Sequence, residues 1–180
     1  DQLNFGTNYI NIGLASSPDS LAEMPADFVD FDEVDEHPYM ELSPVQLARS
    51  RGRTKQNFKL ILASTPKKLE GQGGILDYFL ESKRYAIEQK CPHCGEYSIF
   101  TEENIQAPED KDYREIEAEG LGFAICPAHG CVIDDEHHEE MVMGQKWRDL
   151  DPALPATYIG FHKPVWCTIF EDWSSVAATR

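Results

Sequence analysis

Phe28-Val29-Asp30-Phe31-Asp32-Glu33 is a short, mostly apolar run that ends in two adjacent carboxylates. About thirty residues later, Leu60-Ile61-Leu62-Ala63 runs into Ser64-Thr65-Pro66. The two runs read as neighbouring strands of a parallel sheet, each delivering polar side chains at its carboxyl end. That edge is where open α/β sheets bind ligands. In nucleotide hydrolases such a carboxylate pair is the Walker B element. Asp32 is expected to hold Mg²⁺, usually through water, and Glu33 to orient and deprotonate the attacking water. Ser64 and Thr65 on the next strand are expected to sense the γ-phosphate of ATP and to couple its loss to movement.

A triphosphate also needs a cradle of backbone N–H groups and a lysine, as in G-x-x-x-x-G-K-[ST]. No such string occurs in the chain. The nearest glycine cluster, Gly71-Gln72-Gly73-Gly74, lacks the following Lys-Ser/Thr and comes after the carboxylate strand. The sequence opens on Asp1 in what reads as mid-domain, so the cradle is expected upstream.

With 180 residues the chain can hold one ordinary domain, or part of one plus a small module. Its formal net charge of −16 argues against nucleic-acid binding on average, but the charge is patterned. Residues 49–68 carry seven basic side chains and no acidic one, whereas residues 101–140 carry thirteen acidic side chains against Lys111 and Arg114. Arg49, Arg51, Arg53 and Lys55 therefore form the expected nucleic-acid patch. They read as a solvated helix end or DNA-facing surface rather than an arginine finger. Nine acidic and no Lys or Arg residues fall between Asp19 and Glu41, so the plain alternative for Asp32-Glu33 is a solvated acidic loop. The apolar run before the pair and the Leu60–Ala63 strand argue for the site.

Five cysteines without a secretory leader point to a reducing compartment, where paired cysteines read as metal ligands. Cys91-Pro92-His93-Cys94-Gly95 is a compact knuckle whose spacing aims two thiolates at one ion. Cys126-Pro127-Ala128-His129-Gly130-Cys131 supplies the second half. Cys126 with Cys131 completes a four-thiolate zinc site, and His129 is the alternative ligand. Four thiolates leave no open position, so the zinc is expected to be structural. Cys167 reads as a core residue. The 31 residues between Cys94 and Cys126 suit a zinc ribbon with a long acidic loop at residues 107–120. No apolar run approaches the roughly 18–20 residues of a membrane span.

The fold class expected is therefore α/β. It is expected to be a partial RecA-like (ASCE) P-loop ATPase core with a parallel sheet, its phosphate-cradle part missing, and with an inserted zinc-ribbon module. Residues 1–84 are expected to form that core, 85–149 the zinc-ribbon insertion, and 150–180 a return to the core and a linker. Smaller features are a strand at residues 9–14, a short helix begun at Ser20 and halted by Pro25, and a helix started by Ser43-Pro44. Further helices are expected at residues 75–82 and 170–178.

Several strings occur in order: Ser17-Pro18-Asp19-Ser20-Leu21, Asp32-Glu33-Val34-Asp35, Ser64-Thr65-Pro66, Cys91-Pro92-His93-Cys94-Gly95, Glu136-His137-His138, Gly144-x-x-Trp147 and Gly160-Phe161-His162. In this order they resemble the large terminase subunit of tailed bacteriophages, in the lambda-like GpA branch. The resemblance implies a viral packaging motor that hydrolyses ATP to translocate double-stranded DNA into a procapsid. It also implies a nuclease domain whose carboxylates are absent here. The implied partners are the small terminase subunit, the procapsid portal and further copies of the motor, in the cytoplasm of an infected bacterial host, with no membrane. A DExx-box helicase is the enzymatic alternative, since there too a D-E-x-D box precedes a serine-threonine motif. A non-enzymatic zinc-ribbon interaction module is the other.

Overall fold

The computed structural model describes residues 2–17, 26–38 and 43–179, the side chain of Arg51 excepted. The chain divides into two compact units, residues 1–78 and 79–180. The helix expected from Ser20 and the Ser17–Leu21 string fall largely outside the described residues.

The first unit opens with a hairpin, β1 (Gln2–Phe5) and β2 (Asn8–Asn11), whose side chains are almost all exposed. Strand β3 (Phe28–Phe31) follows, and then a 3-10 turn at Val34–Glu36. Helix α1 (Pro44–Gly52) starts where the sequence predicts. Ser43 Oγ accepts the Gln46 N–H at 3.2 Å, the Gln46 side chain accepts the Ser43 N–H at 3.2 Å, and Pro44 occupies the first turn. Strand β4 (Lys59–Leu62) lies parallel to β3, with Phe28 opposite Lys59 and Phe31 opposite Leu62.

Both strands alternate between cover and exposure. Val29, Phe31, Leu60 and Leu62 turn inward onto Val34, Val45 and Ala48, while Phe28, Asp30 and Ile61 face outward. Asp30, on the open face, is exposed to water. Helix α2 (Ile75–Leu80) spans the division between the units.

The second unit is built on β5 (Lys83–Lys90), the longest strand described. Short β6 (Tyr97–Ser98) pairs antiparallel with its end. β7 (Ile105–Gln106) comes next, followed by α3 (Tyr113–Glu119). That helix lies inside the segment expected to be an acidic loop. Asp112 caps it through the N–H groups of Arg114 and Glu115, both at 2.9 Å, and the Glu115 side chain returns to the Asp112 N–H. Its buried Ile116 gives the turn an apolar anchor, so the acidic composition reflects only the outer face.

Strands β8 (Phe123–Ile125) and β9 (Val132–Asp134) complete a three-stranded antiparallel sheet in the order β7-β8-β9. Helix α4 (His138–Met143) leads to β10 (Lys146–Asp149), antiparallel to β5, and β11 (Ile159–His162) runs parallel on the other side of β5. Helix α5 (Trp173–Ala178) begins three residues later than expected, where Asp172 accepts the Ser175 N–H at 2.7 Å. It packs on α3 and β7. Residues 150–180 thus contribute β11 and α5 to the second unit.

The core of this unit joins Phe100, Ile105, Ala124, Ile133, Met141 and Trp173 to the thiols of Cys91 and Cys126. Cys167 is buried as expected, its thiol pushed up to about 12 by desolvation. Among the described residues no helix is long and apolar enough to cross a membrane.

Candidate functional site

Parallel pairing of β3 with β4 brings Asp32-Glu33 and Ser64-Thr65 to the same carboxyl rim. The ladder continues one step beyond each strand: the Ala63 N–H donates to the Phe31 carbonyl at 2.8 Å, and the Val34 N–H to the Ala63 carbonyl at 3.2 Å. Between these bonds the chain turns sharply. Asp32 Oδ1 accepts the Glu33 N–H at 3.0 Å, and the His37 ring braces the turn through a 2.9 Å bond to the Asp32 carbonyl.

Glu33 has φ 52° and ψ 47°, making it the non-glycine residue with positive φ among those described. An L-residue held there stores roughly 1–3 kcal/mol of backbone strain. Both carboxylates are exposed at this rim.

Asp35 is the residue that sequence reasoning missed. It is buried, and its backbone N–H donates to Ser64 Oγ at 3.1 Å, a direct link between the carboxylate turn and the end of β4. Its carboxylate accepts three more N–H groups, from Lys67 at 2.7 Å, Lys68 at 2.8 Å and Ile75 at 2.6 Å. Burial alone would raise its pKa. The three N–H donors and the Lys68 charge outweigh that and hold it below the usual carboxylate value. The fourth place of the Asp32-Glu33-Val34-Asp35 string was visible in the sequence, but its partners lie some thirty to forty residues away.

The glycine cluster has a use of its own. The Gly71 and Gly73 N–H groups each donate to the Asp77 carboxylate at 2.6 Å. With Lys67, Lys68 and Ile75 held by Asp35, the loop's donors serve the protein's own carboxylates. The cluster therefore does not fit a triphosphate, in agreement with its order in the sequence. Asp32 and Glu33, adjacent in sequence and both exposed, offer carboxylate oxygens of the kind that binds a hydrated Mg²⁺.

Of the expected basic patch, Arg49 stacks over the Tyr78 ring at 5.4 Å and Lys55 pairs with Asp27 at 3.0 Å, while Arg53 is exposed. The Arg51 side chain lies outside the described residues.

In the second unit the thiols of Cys91, Cys94 and Cys131 lie within 4.8 Å of one another, and Cys126 Sγ is 3.7 Å from Cys94 Sγ. A zinc–sulfur bond of about 2.3 Å sets tetrahedral sulfur–sulfur edges of about 3.8 Å, so the Cys91, Cys94 and Cys131 thiols are compatible with zinc, while Cys126 approaches Cys94 but stands outside that mutual group. Each knuckle is closed by the same two backbone bonds. Gly95 N–H donates to the Cys91 carbonyl at 2.9 Å and Gly130 N–H to the Cys126 carbonyl at 2.8 Å; Cys91 and Cys126 N–H donate to the Glu96 and Cys131 carbonyls, both at 2.9 Å. Gly95 and Gly130 adopt φ of 78° and 68°, the left-handed turn that glycine takes without strain.

In this register His129 occupies the place of Cys94, yet it is exposed, while Cys131 joins the thiol group. Burial and the adjacent Cys91 and Cys94 push the Cys131 thiol up to about 11. An ion arriving at this group must displace protons, so its affinity falls with acid.

Residues 2–147 match the family described as phage terminase large subunit gpA, ATPase domain. The match covers most of the chain and runs through the carboxylate rim and both knuckles. The chain belongs to this family. No curated protein and no solved structure matches it significantly.

Proposed function

We propose that the protein is part of an ATP-driven motor that moves double-stranded DNA into a procapsid, with Glu33 as the base that activates water. The observation that carries this reading is the shared rim: Asp32-Glu33 and Ser64-Thr65 end two paired parallel strands, joined by the Asp35 N–H to Ser64 Oγ bond. Family membership supplies the ATPase context and favours this reading over the helicase alternative.

In this reading Asp32 would hold Mg²⁺, which would supply charge neutralisation for the phosphates of ATP. Glu33 takes the proton of the attacking water. Ser64 and Thr65, just past the end of β4, report the loss of the γ-phosphate to the loop that follows them. No described residue cradles the triphosphate, so the activity is assigned to the complete large subunit rather than to this polypeptide alone.

The thiol cluster of Cys91, Cys94, Cys126 and Cys131 is assigned a structural zinc. The exposed Arg53 and the adjacent basic side chains of residues 49–68 are assigned to DNA contact. The small subunit, the portal and further motor copies are the remaining partners of the reading, and DNA cleavage resides outside these residues.

Glu33→Gln in the complete protein tests the assignment. ATP hydrolysis should fall by about 10²–10⁴-fold, the usual worth of a general base. Nucleotide binding should persist, because the base acts in the transition state. A variant that hydrolyses at the wild-type rate refutes the role.

A further inference from the structure

A strained residue persists only where its surroundings over-determine it. For Glu33 those surroundings converge on the residue two places on. The Asp35 N–H binds Ser64 Oγ at 3.1 Å, and Ser64 Oγ in turn donates to the Thr65 carbonyl at 3.1 Å. The Asp35 carboxylate grips the backbone at Lys67, Lys68 and Ile75, both sides of the glycine loop. Asp77 secures the loop's middle through Gly71 and Gly73. Even Gly74 is shaped to this grip: a Cβ there would stand 2.8 Å from Asp35 Oδ1 and 2.8 Å from Lys68 Cβ. The carboxylate turn, the end of β4 and the loop of residues 66–74 are therefore clamped by one buried side chain.

We propose that Asp35 is a positioning residue for hydrolysis, a latch that keeps Glu33 in its left-handed conformation and makes the turn, Ser64 and the glycine loop move as one body. The inference rests on the Glu33 reading above and adds to it the means by which loss of phosphate at the rim reaches residues 66–75. Releasing the latch lets the Glu33 turn relax toward an ordinary right-handed conformation. Its carboxylate then swings from the attacking water, while no residue that cradles the triphosphate is altered.

The test is Asp35→Asn in the complete large subunit, assayed beside wild type and Glu33→Gln for steady-state ATP hydrolysis and for binding of a fluorescent ATP analogue. Asparagine keeps the shape but replaces one acceptor by an NH₂ group facing N–H donors. Misplacement by about 1 Å can cost on the order of 10²-fold in rate, so kcat should fall by about 10–100-fold while KM and analogue affinity stay within about threefold. Gly74→Ala provides the second variant. It keeps every hydrogen-bonding group, crowds the carboxylate, and should lower kcat by about tenfold with the same unchanged KM. It also decides the question if Asp35→Asn does not fold.

A purely architectural Asp35 would lower the melting temperature and leave kcat per nucleotide-binding molecule at the wild-type value, and that result in either variant overturns the latch. If Glu33→Gln is inactive while Asp35→Asn is fully active, only the latch falls. If Glu33→Gln is fully active, the function reading falls and takes the latch with it.

Discussion

The two units hold their functional groups in opposite ways. In the first, a pair of parallel strands covered on one face presents exposed carboxylates at a rim, and among the described residues the buried apolar core comprises Phe31, Val34, Val45 and Ala48. In the second, the candidate ligands belong to the core itself: Cys91 and Cys126 are buried among Phe100, Ile105, Ile133, Met141 and Trp173. A two-stranded sheet is marginal by its own hydrogen bonds. The first unit accordingly relies on polar fastening, with Asp35 and Asp77 gathering backbone N–H groups, while the second relies on apolar packing around thiols. Under the proposed function, the site that changes state during turnover sits on hydrogen bonds that can be exchanged, and the site that only holds shape is sealed into a core.

Metal removal should break this contrast most sharply. A chelator, or Cys91→Ser, should release about one zinc per chain by metal analysis. Because zinc binding contributes on the order of 10–16 kcal/mol in isolated fingers, the second unit should lose its fixed tertiary structure. Near-ultraviolet circular dichroism of Trp173 and its neighbours would record the loss. A metal-free protein with an unchanged spectrum would remove zinc from the account.

Trp173→Ala comes next. Trp173 is fully buried, and truncating such a side chain costs about 3–5 kcal/mol, readable as a lowered denaturant midpoint for the second unit. Trp173 belongs to the second unit and the carboxylate rim to the first, so kcat per folded molecule should hold.

Acid should produce the smallest effect. Bidentate hydrogen bonding from Arg84, at 2.8 Å to each oxygen, holds Asp151 down to about 2 from 3.8. A carboxylate with a depressed folded value stabilises fully above its unfolded value and loses that contribution as pH falls through the folded one. The Asp151 pair should therefore fail between pH 3.8 and about 2, as carboxyl carbon chemical shifts would show. Asp35 is displaced in the same direction by its N–H donors, so the latch should likewise hold at every pH above the normal carboxylate range. Loss of either at pH 5 would contradict the geometry.

Much of the rim was legible because its signals are local. An apolar run ending in Asp32-Glu33, and another ending in Ser64-Thr65, state both strand and polar end in a few residues each. Helix α1 was legible for the same reason, since Ser43, Pro44 and Gln46 are a complete start signal. Helix α3 carried a comparable signal in Asp112 and Glu115, but the acidic composition around it obscured the single buried Ile116. Periodicity could not say how many faces of β3 are covered, and the alternation of Val29 and Phe31 with Phe28 and Asp30 decided it.

The sequence by itself determined the chemistry available: a carboxylate pair, a serine-threonine strand end, two cysteine knuckles and a glycine cluster in an order unsuited to phosphate. All are set by neighbours within a few positions, where covalent geometry and side-chain type leave little choice. Tertiary structure alone decided that Cys131 rather than His129 joins the other thiols, and that Asp35 fastens the backbone at residues 67, 68 and 75. Spacing admits several closures of a chain, and only packing in three dimensions selects which distant donors meet a given acceptor.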